Sequence, residues 1–171
     1  MKKKFFIIVI MLLLFVLSPL AACTNNRSKY VRIHIRANSD SEYDQQVKLE
    51  VRDSVIACLA PLLEDCKDAT DAKTIIAAHL EIIESTADTV LLDTAYTCKA
   101  SLRRECFPQK SYGELTLKAG YYDALVLELG SGEGANWWCV AYPPLCFTAS
   151  EETTVYKSKI MEIIQKNKEK D

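Results

Sequence analysis

Two histidines, His34 and His79, are all the imidazole in this 171-residue chain, and beyond Lys2, Lys3 and Lys4 no run of arginine and lysine offers a stripe that could track phosphates. Nucleic acid is therefore excluded as an expected partner. The regular calcium-loop pattern is missing too. Asp40, Asp44 and Asp53 are too few oxygen ligands for a hard cation and read as helix capping and solvated surface, so no metal site is expected. Glycine is scarce, five in all, and three of them stand at 130, 132 and 134. A phosphate-binding loop must follow a strand and open a helix, whereas Trp137, Trp138 and Val140 downstream read as strand. The glycines are expected to form a hairpin loop, and no cofactor is implied. No local signature accompanies Cys139 that would make it a thiolate nucleophile with His34 or His79 as base. No internal repeat is present.

What is there begins at the N-terminus. Lys2, Lys3 and Lys4 precede the uncharged apolar run from Phe5 to Leu17, an export signal. Leu20, Ala21, Ala22 and Cys23 match the pattern at which bacterial lipoprotein leaders are cut, before a cysteine that takes diacylglycerol. Residues 1–22 are thus expected to be a lipoprotein-type signal peptide and Cys23 the lipid attachment point. An uncleaved membrane anchor and an ordinary secretory signal remain open, since the stretch from Phe5 to Ala22 is near the lower limit of the ~17–25 residues that span a bilayer. In each case the lysines hold the N-terminus inside and the remainder faces out. Residues 23–30 form a short polar tether, reaching about 25 Å at most. Cutting before Cys23 leaves about 150 residues, one domain's worth.

Seven cysteines, one of them lipidated, leave an even number outside the reducing cytosol, the usage of a disulfide-containing exported domain. Cys139 and Cys146 flank Tyr142, Pro143 and Pro144, where a chain reversal would bring them together. Cys98 and Cys106 lie on the same side of one apparent strand, held roughly 26 Å apart if it is continuous. They must then pair with Cys58 and Cys66 or stay free.

Val31, Ile33 and Ile35 alternate with Arg32, His34 and Arg36, the period of a half-buried strand. Asn38, Ser39, Asp40 and Ser41 suit a turn and N-cap, and a helix follows with Tyr43, Val47, Val51, Val55 and Leu59 on its stripe, ended or bent by Pro61. A second helix is announced by Thr70 and Asp71 and carries Ala72, Ile76, Leu80, Ile83 and Ala87. From Leu92 the period becomes two, predicting a long strand that Phe107 and Pro108 stop. Strands over 114–119, 122–129 and 136–142 follow, and a final helix begins near Glu152. The expectation is an α+β domain over 31–150, a mainly antiparallel sheet of four to five strands with two to three helices on one face, then a C-terminal helix and charged tail over 151–171.

The segment Gly130–Phe147 stands out. Adjacent tryptophans point to opposite sides of a strand, so one must leave the core unless a loop covers it. Trp137, Trp138, Tyr142, Pro143 and Pro144 are accordingly the candidate partner-binding surface. Asn136-Trp137-Trp138-Cys139 and Pro143-Pro144-Leu145-Cys146-Phe147 resemble the signature of the stage II sporulation protein R family. Arg36 to Ser41, Asp44, Gln45, Lys48, Leu49, Val51 to Asp53, Val55, His79, Leu80, Phe107, Pro108, Lys110, Tyr112, Gly113, Ala119, Gly120, Tyr122, Ala124 and Leu125 extend the likeness over roughly 31–147. Lys118 departs from it, standing where proline is expected. The resemblance implies a non-enzymatic signal, exported into the septal space between two membranes, that activates the membrane-embedded aspartic peptidase processing pro-sigma-E in the mother cell. The rival reading is an extracytoplasmic lipoprotein that binds a small ligand or cell-wall component.

Overall fold

The computed structural model describes residues 29–113 and 115–147; the leader, Cys23, the tether up to residue 28 and the helix expected over 151–171 lie outside them. Strand β1 (Val31–Arg36) opens the domain, followed by helices α1 (Glu42–Leu63), α2 (Ala69–Ala78) and α3 (Leu80–Val90). Then come β2 (Cys98–Phe107), the short β3 (Lys110–Tyr112) and β4 (Leu115–Leu117), β5 (Gly120–Leu129), β6 (Asn136–Tyr142) and a 3-10 turn at Leu145–Phe147. Four strands form one sheet in the order β2-β5-β1-β6, and β3 and β4 pair only with each other. β1 runs parallel to β5 and antiparallel to β6, and β2 is antiparallel to β5. The expected α+β arrangement is the one observed. Among the described residues no helix is long and apolar enough to cross a membrane.

Local chemistry sets the helix ends. The Ser41 hydroxyl accepts the Asp44 amide at 3.1 Å, with Glu42 and Asp44 in the first turn of α1. Asp68, rather than the residues after it, caps α2 by accepting the amides of Thr70 and Asp71. Pro61 lies in the last turn of α1 and the helix continues to Leu63. The second helix is two: His79 leaves helical geometry at φ −116 and ψ 15, and its Nδ1 contacts the Ile75 carbonyl at 2.7 Å. Apolar spacing continues across that break, which hides it from periodicity.

The long strand begins at Cys98 instead of Leu92. Thr94 turns the chain, its hydroxyl donating to the carbonyls of Leu91 and Tyr96, and Leu92 is left 80% exposed. Residues 130–135 are also not a hairpin loop, because β5 and β6 flank β1 and the loop must cross the end of that strand.

Two cores lie on the two faces of the sheet. Ile33, Ile35, Leu125, Leu127 and Leu129 meet Val51, Val55, Leu59, Ile76, Ile83 and Ala87 beneath the helices. On the other face Phe107, Tyr122, Ala124, Val126 and Val140 meet Leu115 and Leu117 of the β3–β4 hairpin. β1 is therefore covered on both sides, and Arg32 and His34 are buried rather than solvated.

Candidate functional site

Period-two geometry sends Arg32, His34 and Arg36 to the hairpin face of β1. Arg103 and Glu105 of β2 and Glu128 of β5 reach the same face and meet them there. His34 Nδ1 lies 2.5 Å from Glu105 Oε2 and its Nε2 lies 2.8 Å from Asn136 Oδ1. Glu105 and Asn136 thus hold the imidazole from both sides. Arg36 donates to Glu105 at 2.6 Å and to Glu128 at 3.2 Å, and Arg103 donates to Glu105 at 3.1 Å and Glu128 at 3.0 Å.

Burial works against the Glu105 carboxylate, but the hydrogen bond and charge of His34, with help from Arg103 and Arg36, outweigh it and hold its pKa below the ordinary value. Glu128 is held low chiefly by the Arg103 hydrogen bond. The ring of His34 meets Phe107 edge-on and Trp138 at a tilt, each 5.7 Å between centroids.

Arg32 lies deeper. Its guanidinium carbon sits 4.2 Å from the centre of the Phe107 ring, 5.2 Å from Tyr122 and 5.6 Å from Tyr112, and its Nη2 donates to the Tyr112 hydroxyl at 2.5 Å. Nε and Nη1 have no hydrogen-bond partner among the described residues. Burial lowers its pKa, and only tyrosines push back. Isolating a buried ion in this way costs several kcal/mol, which rings above a cation offset only in part.

At the far end of β1 the loop between β1 and α1 is clasped by residues 130–135. Asp44 accepts from Ser39 Oγ at 2.5 Å, Tyr96 OH at 2.6 Å and Asn38 Nδ2 at 3.0 Å, and these bonds, that of Ser39 first, hold its pKa down. Asp40 accepts the Ala135 amide at 2.7 Å and Lys48 donates to the Ala135 carbonyl at 2.9 Å. Asp53 pairs with its neighbour Arg52. The acidic residues weighed as metal ligands thus have separate structural jobs.

Gly130 and Gly134 pack so closely on Asn38 and Ser39 that an added Cβ would overlap the Asn38 side chain or the Ser39 carbonyl. That approach is what the glycines are for.

The residues singled out in the sequence lie around β6. Trp137 faces the helices with Arg52 5.8 Å from its ring centre, and Trp138 faces His34, both of them half-buried. Tyr142, Pro143 and Pro144 are buried. Cys139 and Cys146 are joined by a disulfide with 6.0 Å between Cα atoms, which removes Cys139 as a nucleophile. Cys58, Cys66 and Cys98 are free thiols, so Cys58 and Cys66 bridge neither Cys98 nor Cys106.

Sequence reasoning missed the polar cluster because alternation of Arg32, His34 and Arg36 with apolar neighbours is also the signature of a water-facing side. The available signal was the matching pattern on β2, where Arg103 and Glu105 alternate in the same way.

A family model described as stage II sporulation protein R matches residues 27–152. Stage II sporulation protein R of Bacillus subtilis (strain 168) is 39% identical over 119 residues, 68% of this chain and 53% of that protein. The chain thus spans about half the length of the curated relative it matches. No solved structure matches it.

Proposed function

Because this chain belongs to the stage II sporulation protein R family, we propose that its role in sporulation is that of an exported signal, which activates a membrane-embedded aspartic peptidase processing pro-sigma-E in the mother cell. The match over 27–152 carries the reading, since it takes in both cores, the polar face and the clasp. An apolar, uncharged stretch after three lysines supports export, and Cys23 supplies a lipid attachment point.

Contact with the peptidase falls to the half-buried tryptophans. Each offers part of a large amphipathic ring at the surface while the rest is fixed by Arg52 or His34, and such rings are favoured contact groups. Tyr142, beside Val31 at the other end of β6, and Pro143 and Pro144 after it are buried and shape that end of the strand. No catalytic residue is assigned to this chain.

The test is co-expression of the full chain with the peptidase and its pro-sigma-E substrate in a non-sporulating host. Cleavage that depends on this chain is the expected result. Unchanged cleavage, with export of the chain verified, would overturn the proposal and favour a ligand-binding lipoprotein. Replacing Trp137 or Trp138 by leucine in the same assay is expected to abolish activation while a thermal melt still shows a cooperative fold.

A further inference from the structure

Arg32 has no part in the contact just described, yet it is the most unusual side chain in the domain. It stands on the central strand β1 at 0% exposure, with one polar partner, the Tyr112 hydroxyl, among the described residues. A guanidinium carries five N–H donors. Nε and Nη1 are unused, and the carboxylates of Glu105 and Glu128, farther along the same face, are spent on His34, Arg36 and Arg103. A methionine or leucine would fill such an aromatic surround without bringing a charge into it. What the arginine adds is a planar set of donors that pairs two-pronged with an oxyanion, and the oxyanion an unmodified polypeptide side chain supplies is a carboxylate.

The cover over this group is separable from the sheet. β3 and β4 form a two-stranded ladder of their own and close the face through Tyr112, Leu115 and Leu117. Lifting them breaks none of the ladders of the four-stranded sheet. It uncovers the cation on a face where, among the described residues, the carboxylates of Glu105 and Glu128 are already engaged.

We propose that Arg32 is the receptor for a carboxylate side chain of a partner polypeptide, which enters when the β3–β4 hairpin lifts. The identity of that polypeptide as the peptidase rests on the function proposed above; the carboxylate site does not.

The experiment uses the full chain as exported and purified, and two capped tripeptides, acetyl-Ala-Glu-Ala-amide and its glutamine counterpart, at millimolar concentration. The glutamate peptide is expected to raise the thermal midpoint by roughly 2–4 °C and the glutamine peptide to leave it unchanged. In Arg32→Met the glutamate response is expected to vanish. Equal shifts from both peptides, no shift from either, or a glutamate shift that survives in Arg32→Met would overturn the site. A response to inorganic phosphate with none to the glutamate peptide would overturn the carboxylate assignment in favour of a phosphoryl ligand. The glutamate–glutamine contrast is made in the unchanged protein, so it stands even if Arg32→Met fails to fold.

Co-expression separates the two proposals. If the unchanged chain drives cleavage and exported, folded Arg32→Met drives it equally, the receptor role is overturned and the signalling role stands. If the unchanged chain drives none, the signalling role fails and the peptide experiment alone judges the site.

Discussion

Asp44 shows how one side chain can hold two loops. Its carboxylate gathers Ser39, Asn38 and Tyr96 while its own amide is capped by Ser41, so Asp44→Ala removes several charge-assisted bonds at a buried point. A loss of about 2–4 kcal/mol in urea unfolding is expected. A loss under ~0.5 kcal/mol, the size of an ordinary surface substitution, would show that these bonds are not what holds the loop. The pKa values of Asp44, Glu105 and Glu128 lie below their ordinary 3.8, 4.5 and 4.5. A depressed carboxylate contributes stability above its unfolded pKa and loses it as pH falls through the folded one. The thermal midpoint should therefore stay level from neutral pH down to about 5 and decline below about 4.5. Asp44→Asn should flatten part of that decline, and an unaltered acid limb would remove Asp44 from the account. Cys98 offers a different test. Burial, with help from Asp88, Glu84 and Glu128, pushes its thiol up to about 12, so iodoacetamide at pH 8 should label it only after unfolding. Mass spectrometry of the native protein checks this, and labelling of Cys98 as fast as that of half-buried Cys58 would contradict it.

At the scale of elements, the clasp and the hairpin behave oppositely. Gly134→Ala forces a Cβ into the Ser39 backbone, which cannot move like a flexible side chain, whereas at Gly132, with φ 66, the nearest neighbours are 3.6 Å away. Gly134→Ala should therefore destabilise by clearly more than the ~1–2 kcal/mol of left-handed backbone strain expected from Gly132→Ala. Equal losses in urea titrations would mean that the loop yields at Ser39. The β3–β4 hairpin, bonded to itself, should exchange its ladder amides at a lower opening free energy than strand β5, read by comparing Leu117 with Val126 in native-state exchange. Helix α1 was legible from Ser41 and its apolar stripe, because capping and periodicity are local. The break at His79 and the late start of β2 were not, since the apolar pattern runs through both and only the turns around His79 and Thr94 interrupt it.

Across the whole molecule the sheet divides two unlike environments, an apolar core under the helices and a mixed aromatic and ionic layer under the hairpin. The disulfide at Cys139–Cys146 ties the edge strand β6 to the final turn. Replacing both cysteines by serine should lower stability by about 2–3 kcal/mol through the short closed loop, and activation in the co-expression assay should persist. Loss of activation in a folded double variant would revive a chemical role for Cys139. The sequence by itself determined the α+β class, the starting strand and first helix, and the family signature, because alternation, helix caps and contiguous motifs are properties of neighbouring residues. Only the tertiary structure decided that β1 is buried on both faces, that residues 130–135 cross the end of β1 and that Arg32 lies in an aromatic enclosure. Each of those depends on strands far apart in the chain pairing in the order β2-β5-β1-β6, and on a hairpin closing over them. Local periodicity carries no record of either.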